Sequence, residues 1–267
     1  MSSNLRHNLA ALGADYALFV MGLAFASQST ILPAFAAYLG APNVVIGAIP
    51  AVMTLGWFMP SLFAAGHTET LERKLPFVLR HTVWERVPFL VLALSAFVLA
   101  DRAPGLTLAV MLMVLLVVTG VGGILMPAWM DLIGRAIPVT LRGRFFGFAN
   151  LAASAGGLAA SVATASVLAT IPAPASYGVC FLMTFGCLAL SFGALVVVRE
   201  PVSGASAPAV PLREYLARIP VLIISGFLDE EPVIDRGLHI VGRLPKPQTL
   251  QAVVDAVRAG LALRPRT

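Results

Sequence analysis

Six long apolar stretches, separated by short polar segments, constrain the fold of this chain of 267 residues more than any other feature. They lie at about residues 13–37, 44–65, 84–100, 106–129, 146–170 and 177–198. A helix that crosses a bilayer needs about 20 mostly apolar residues, and lipid offers no partner for the backbone polar groups of an open strand. The pattern predicts an all-α polytopic membrane protein with six transmembrane helices.

Charge is distributed unevenly along the chain. Residues 1–210 contain 10 Lys and Arg and 7 Asp and Glu, whereas the 57 residues after them contain 8 and 6. The charged fraction of 12% is about half of the roughly 25% found in soluble domains, which argues against a soluble single-domain enzyme. The net charge of +5 comes with no basic run interleaved with aromatic residues, so we expect no nucleic-acid partner.

The histidines lie outside the apolar stretches, with His7, His67 and His81 in loops and His239 in the tail. No cluster of His, Asp and Glu with metal-ligand spacing occurs within these stretches, so we expect neither a metal site nor a cofactor. A membrane-embedded enzyme is therefore a weak alternative, and we expect no enzymatic activity.

Basic residues are concentrated on one side of the predicted helices. Lys and Arg near helix ends are retained in the cytoplasm, and nine of them fall on one side against Arg102 alone on the other. The asymmetry predicts a multi-pass protein of a bacterial-type inner membrane, with lipids as partners and both termini in the cytoplasm. The nine residues are Arg6, Arg73, Lys74, Arg80, Arg86, Arg135, Arg142, Arg144 and Arg199.

The chain changes character after residue 200. Residues 201–219 form an uncharged, proline-rich run followed by a short amphipathic piece, which predicts a cytoplasmic linker. Residues 220–226 and 238–242 are strand candidates, and residues 249–263 have the apolar spacing of an amphipathic helix. We expect a transmembrane domain over residues 1–200 and a short C-terminal α/β fragment over residues 220–267.

Several motifs in the apolar part resemble those of a known superfamily. They are Leu32-Pro-Ala-Phe35, Val45-Ile-Gly-Ala-Ile-Pro50, Pro127-Ala-Trp-Met-Asp131-Leu-Ile-Gly-Arg135 and Arg142-Gly-Arg-Phe-Phe-Gly147. Residues 1–219 resemble the N-terminal six-helix half of a major facilitator superfamily transporter. The resemblance implies transport of a small molecule by alternating access between two halves. A lone half would need a homodimer or a separately encoded second half.

The loop after the fourth predicted helix is the most specific part of this resemblance. Asp131, Gly134 and Arg135 match the superfamily's cytoplasmic signature loop, although that loop usually follows the second helix. A carboxylate paired with arginines at the cytoplasmic mouth could hold one of the two transport states, and Asp131 with Arg135, Arg142 and Arg144 would form such a latch. The alternative is that the arginines bind lipid phosphates and set the topology.

Two polar residues of the first apolar stretch are candidates for coupling or for lining a cavity. An ionisable residue within the membrane is expensive and often belongs to a proton or substrate path, which would give Asp15 that role. A water-exposed interfacial carboxylate is the alternative. Gln28 is predicted to lie deep in the same helix, where it would face a central cavity or make a hydrogen bond to another helix.

The tail resembles a different family. Residues 219–229 and the segment Gly242-Arg-Leu-Pro-Lys246-Pro247, followed by a helix, resemble the last third of a response-regulator receiver domain. The resemblance implies that Ser225 and Lys246 would contact a phosphoryl group. It also gives an alternative function, a membrane-anchored phosphorelay protein. Since the two resemblances meet near residue 219, we expect a fusion or a truncated transporter.

The receiver resemblance generates a testable prediction. A receiver holds its phosphoryl group on an aspartate after the third strand, and Asp229, Asp235 and Asp255 lie in the wrong elements to replace it. The purified chain should therefore accept no phosphoryl group from acetyl phosphate in the presence of Mg²⁺, as measured by intact mass spectrometry beside a complete receiver domain. Stoichiometric phosphorylation would show that the chain has an acceptor after all.

Overall fold

The computed structural model describes residues 3–201, 220–225, 239–245 and 255. Contacts between residues separate the chain into two units, Met1–Ala207 and Pro208–Thr267. The described part of the first unit is helical, and that of the second contains two short strands. The elements are α1 (Ser3–Phe25), α2 (Ile31–Tyr38), α3 (Asn43–Thr70), α4 (Leu75–His81), α5 (Val83–Val98), α6 (Pro104–Ala136), α7 (Val139–Thr170), α8 (Ala175–Val196), β1 (Pro220–Ser225) and β2 (His239–Pro245).

Six helical segments of the described residues are long and apolar enough to cross a membrane, as the sequence predicts. Helices α6 and α7 have 33 and 32 residues, about 50 Å at 1.5 Å per residue, and so exceed a hydrocarbon core of about 30 Å. We call the end of the bundle that contains Lys74, Arg135 and Arg142 the basic end. The six segments are Asn4–Phe25, Asn43–Thr68, Leu75–Val98, Pro104–Ala136, Val139–Thr170 and Ala175–Val196.

The first apolar stretch is not one continuous helix. Residues 26–30 form turns between α1 and α2, because Pro33 has no N–H to donate to the carbonyl of Ser29 and its ring would clash with that carbonyl in an unbroken helix. Instead, the amide of Leu32 donates to the carbonyl of Ser27 at 3.0 Å. Gln28 therefore lies in a turn, which corrects the prediction that it lies inside the first helix.

The third span begins at Leu75 and not at residue 84. Two helices form it, and they meet at Thr82, which ends α4 and precedes α5. The charges of Arg80, Glu85 and Arg86 interrupt the apolar pattern, and the start of the span was therefore predicted too late in the sequence. Glu85 and Arg86 consequently lie in the middle of the span and not at its end.

The helices of the first unit pack in a series. Helix α1 packs against α7 and α8, α8 against α5, α5 against α6, and α6 against α3. The helices at the two ends of this series, α3 and α7, are the least buried. In the apolar segment of each helix, 11% of the residues of α3 and 17% of those of α7 are buried, against 44% for α6. Large apolar faces of α3 and α7 are therefore left to lipid or to a partner.

Glycines allow α3 and α6 to approach each other closely. A Cβ atom added to Gly123 would lie 2.5 Å from the carbonyl oxygen of Trp57 and 2.9 Å from that of Gly56. These obstacles are backbone atoms, which cannot move aside as a flexible side chain can. Small residues serve this purpose in membranes because lipid gives helices no hydrophobic reason to associate.

Two buried apolar clusters fill the described helices, and polar residues lie between them. On α1, Asp15 lies three residues after Leu12, which belongs to the cluster nearer the basic end. On α8, Ser191 lies between Leu195 of that cluster and Leu188 of the other. The helices therefore place a polar layer across the apolar interior at one level.

The two described strands of the second unit lie where the sequence predicts strands. They pair in parallel, with Pro220 opposite His239 and Ser225 opposite Pro245, and the register shifts between Val221 and Leu222. The predicted linker and the predicted C-terminal helix lie outside the described residues, apart from Asp255, which is helical and exposed.

The close approach of α3 and α6 can be tested with two alanine substitutions. Gly123→Ala would force its Cβ against backbone atoms of α3 and should lower the free energy of unfolding by about 1–3 kcal/mol. Gly120→Ala is the matched control, since a Cβ at Gly120 meets no atom within 4 Å. Thermal unfolding in detergent, followed by circular dichroism, measures both variants. Equal stability of the two would contradict the packing described here.

Candidate functional site

An ion pair lies in the interior of the helical unit. Arg86 Nη2 on α5 lies 3.4 Å from Asp15 Oδ1 on α1. The two residues are 5% and 3% exposed, respectively. A buried charge without a partner is strongly unfavourable, so each of these side chains depends on the other and on its hydrogen bonds.

Both carboxylate oxygens of Asp15 accept hydrogen bonds from side chains of other helices. Ser191 on α8 donates its hydroxyl to Oδ1 at 2.6 Å, and Trp129 on α6 donates its indole N–H to Oδ2 at 3.0 Å. With Arg86 on α5, three helices satisfy a carboxylate that belongs to a fourth. Asp15 is therefore fully engaged within the described residues.

The guanidinium of Arg86 is engaged on all three nitrogens. Nε donates to the carbonyl of Leu188 at 3.0 Å, Nη1 to the carbonyl of Thr82 at 3.3 Å and Nη2 to the hydroxyl of Ser191 at 3.0 Å. The rings of Phe19 and Phe192 lie 5.6 Å and 5.8 Å from its central carbon, within the range of cation–π attraction.

Glu85 brings a second carboxylate to the same arginine. Its Oε2 lies 3.6 Å from Arg86 Nη1 and accepts a hydrogen bond from Thr82 Oγ1 at 3.1 Å. Glu85 is 4% exposed. One buried cation thus faces two buried carboxylates, and the group of three has a formal charge of −1 when all are ionised.

These charged residues line a cavity of about 930 Å³. Asp15, Glu85 and Arg86 are the charged side chains of its wall in the described structure, and the remainder is mostly apolar. Gln28 is exposed and also lies at the wall. The aromatic lining residues are Tyr16, Phe19, Trp57, Phe58, Trp129 and Phe146.

The site corrects two expectations. Asp15 is buried, so a water-exposed interfacial carboxylate is the wrong interpretation. Arg86 is not a loop charge that sets the topology, because it lies in the middle of a span and binds Asp15. Charged residues inside an apolar span are costly, so an adjacent Glu and Arg there would have indicated a functional site. The predicted span began too late, which placed Glu85 and Arg86 at its end and not inside it.

The loop residue Asp131 is engaged by two cations. Its Oδ2 lies 3.1 Å from Arg135 Nε, one helical turn away, and 3.3 Å from Lys74 Nζ. Arg135 also donates to the carbonyl of Glu72 at 2.9 Å. The side chain of Asp131 is 44% exposed while that of Lys74 is buried, so the contact lies at the surface of the basic end.

The other arginines of the predicted latch do not bind Asp131. Arg142 donates to the carbonyls of Gly134 at 2.6 Å and Ile137 at 3.1 Å, which closes the turn between α6 and α7. Arg144 is exposed and makes no ion pair among the residues that the structure describes. Of the contacts that the latch prediction gave Asp131, the described structure contains the one with Arg135 and not those with Arg142 and Arg144, and it adds one with Lys74.

Glu200 fixes the start of α4 at the basic end. Its two carboxylate oxygens accept the amides of Lys74 at 2.7 Å and of Leu75 at 3.1 Å. Negative charge is favourable at a helix N-terminus, where amides have no helical partner. Glu200, four residues after the end of α8, thereby connects the last span to the start of the third, a contact that the sequence pattern does not reveal.

The tail residues are only partly described. Ser225 is the last residue of β1, and Lys246 lies outside the described residues. Within the described part of the chain, no group of three His, Cys, Asp or Glu is placed to hold a metal ion.

Comparison of the chain with known protein families, curated proteins and solved structures finds no match.

The different burial of the two arginine sites predicts different losses of stability. Arg86→Met leaves two buried carboxylates without a cation and should cost about 3–5 kcal/mol. Arg135→Met leaves the half-exposed Asp131 with Lys74 and water, and should cost no more than about 1 kcal/mol. Unfolding by increasing sodium dodecyl sulfate in mixed micelles measures both.

Arg86→Lys is the matched control because it retains the charge, and it should lose less stability than Arg86→Met. Similar losses of stability for Arg86→Met and Arg135→Met would mean that burial does not make the Asp15–Arg86 ion pair more costly to break than the half-exposed contact of Asp131.

Proposed function

We propose that the helical unit is one half of a transporter that moves small molecules by alternating access in a bacterial-type inner membrane, with both ends of the unit in the cytoplasm. The observation that supports this most is the group of Asp15, Glu85 and Arg86 beside a cavity, inside helices long enough to span a membrane. Ionisable groups inside membrane spans are rare and usually belong to the path of an ion or substrate.

The second half would cover the least buried helices. Leu55, Phe58 and Leu62 on α3 and Phe148 and Leu151 on α7 are each at least 60% exposed. A second copy of this chain or a separately encoded six-helix half would enclose the cavity between the two. Transporter sites commonly lie at such an interface between repeats.

Under this proposal the contact of Asp131 with Arg135 and Lys74 acts as a latch at the cytoplasmic end. The contact is half-exposed, so water can replace it at small cost. A contact of this kind can favour one of two states without preventing the other, which requires only a small difference in free energy.

The transport proposal predicts solute flux in proteoliposomes that contain the purified full chain. Under an imposed proton gradient or membrane potential, at least one of a cationic, an anionic and a neutral radiolabelled solute should accumulate. Asp15→Asn should lower that rate at least tenfold, because it removes the charge that holds Arg86 in place. Arg102→Gln, an exposed change at the opposite end, should leave the rate unchanged.

No flux of any solute above that of empty liposomes, with the protein folded, would contradict the proposal. In the same assay Asp131→Asn tests the latch. A rate equal to that of the unmodified chain would favour the alternative that the loop charges set topology only.

A further inference from the structure

We propose that the cavity binds an organic cation with an apolar body, and that Glu85 is its anionic contact. This inference rests on the proposed function, since it names the class of ligand that the transport cavity would take.

The ionised side chains of the cavity wall do not balance in charge. Asp15, Glu85 and Arg86 are the charged groups among the described lining residues, and one cation cannot neutralise two carboxylates. A buried carboxylate without a counter-charge is strongly unfavourable in apolar surroundings. When both carboxyl groups are ionised, the wall has a net charge of −1, which is complementary to one additional positive charge and not to an anion.

One carboxylate oxygen of the wall is free to accept an additional cation. Both oxygens of Asp15 and all three nitrogens of Arg86 are engaged by protein groups. Glu85 uses only Oε2, toward Thr82 and Arg86. In the described structure Oε1 makes no hydrogen bond or ion pair, although the side chain is only 6% exposed.

Glu85 Oε1 lies beside an aromatic ring. A Cβ atom added to Gly122 would lie 2.7 Å from Glu85 Oε1 and 2.5 Å from the indole of Trp57. The absence of a side chain at residue 122 therefore lets the Glu85 carboxylate and the Trp57 ring both lie close to its backbone, and all three residues line the cavity. A wall that combines a carboxylate with aromatic rings is a favourable setting for a cation, since the face of such a ring attracts positive charge.

The size and the apolar character of the cavity favour a ligand with an apolar body. Besides its aromatic residues, the wall contains apolar side chains such as Val20, Leu23, Met53 and Met126. A volume of about 930 Å³ falls at the upper end of the roughly 300–1,000 Å³ of small-molecule pockets. A small hydrated metal cation would leave most of that wall unused, whereas an amphipathic organic cation would cover it.

The experiment compares tetraphenylphosphonium with tetraphenylborate, which have nearly the same size and shape and opposite charge. Equilibrium dialysis of the purified full chain in detergent should show saturable binding of tetraphenylphosphonium only. Glu85→Gln should weaken that binding at least tenfold. Glu72→Gln makes the same chemical change at an exposed site and should leave binding unchanged. Equal binding of both ions, or unaltered binding by Glu85→Gln, would overturn the inference.

A second measurement uses the unmodified chain and does not depend on the folding of a variant. Dicyclohexylcarbodiimide modifies carboxyl groups in apolar surroundings, and bound tetraphenylphosphonium should protect Glu85 from it, as measured by mass spectrometry of the peptide. Modification at the same rate with and without the cation would overturn the inference.

These outcomes are separate from those of the transport assay. Flux of neutral or anionic solutes without cation binding would refute only the ligand class. Saturable cation binding with no flux of any solute would support the site and refute transport.

Discussion

The ion pair of Asp15 and Arg86 has to be maintained inside an apolar bundle, and the arrangement of the helices meets that requirement. Removing two charges from water costs several kcal/mol each unless further hydrogen bonds compensate. Here Ser191 and Trp129 provide them, so four helices each supply one group to a single interaction. A rotation of any of these helices would break a contact and leave a charge unsatisfied. The ion pair therefore fixes how α1, α5, α6 and α8 face one another.

Packing and site chemistry are connected through the glycines of α6. Gly123 lets the backbone of α3 approach, and Gly122 makes room for the Trp57 ring and the Glu85 carboxylate. A larger residue at position 122 would collide with the Trp57 ring and the Glu85 carboxylate and would push α3 away from α6. The same absence of side chains therefore shapes the helix contact and the cavity wall.

The number of spans could be predicted from the sequence because it depends on the length of apolar stretches, a local property. The break at residues 26–30 and the start at Leu75 were missed, since they depend on Pro33 and on charged residues whose burial a composition window does not detect. The partners of Asp15 could not be predicted at all. Trp129 and Ser191 are ordinary residues in apolar runs, separated from Asp15 by 114 and 176 positions. Only the fold brings them together.

The two carboxylate sites differ in the cost of breaking them, and the proposed mechanism depends on that difference. Asp131 is half-exposed and keeps access to water, so losing Lys74 or Arg135 costs little. Asp15 is 3% exposed, so losing Arg86 would leave a buried charge. A transport cycle would then change contacts at the basic end while Asp15, Arg86 and their partners stay together. The four helices they join would move as one body, and the free oxygen of Glu85 would be the part of the buried group whose surroundings change when a ligand arrives.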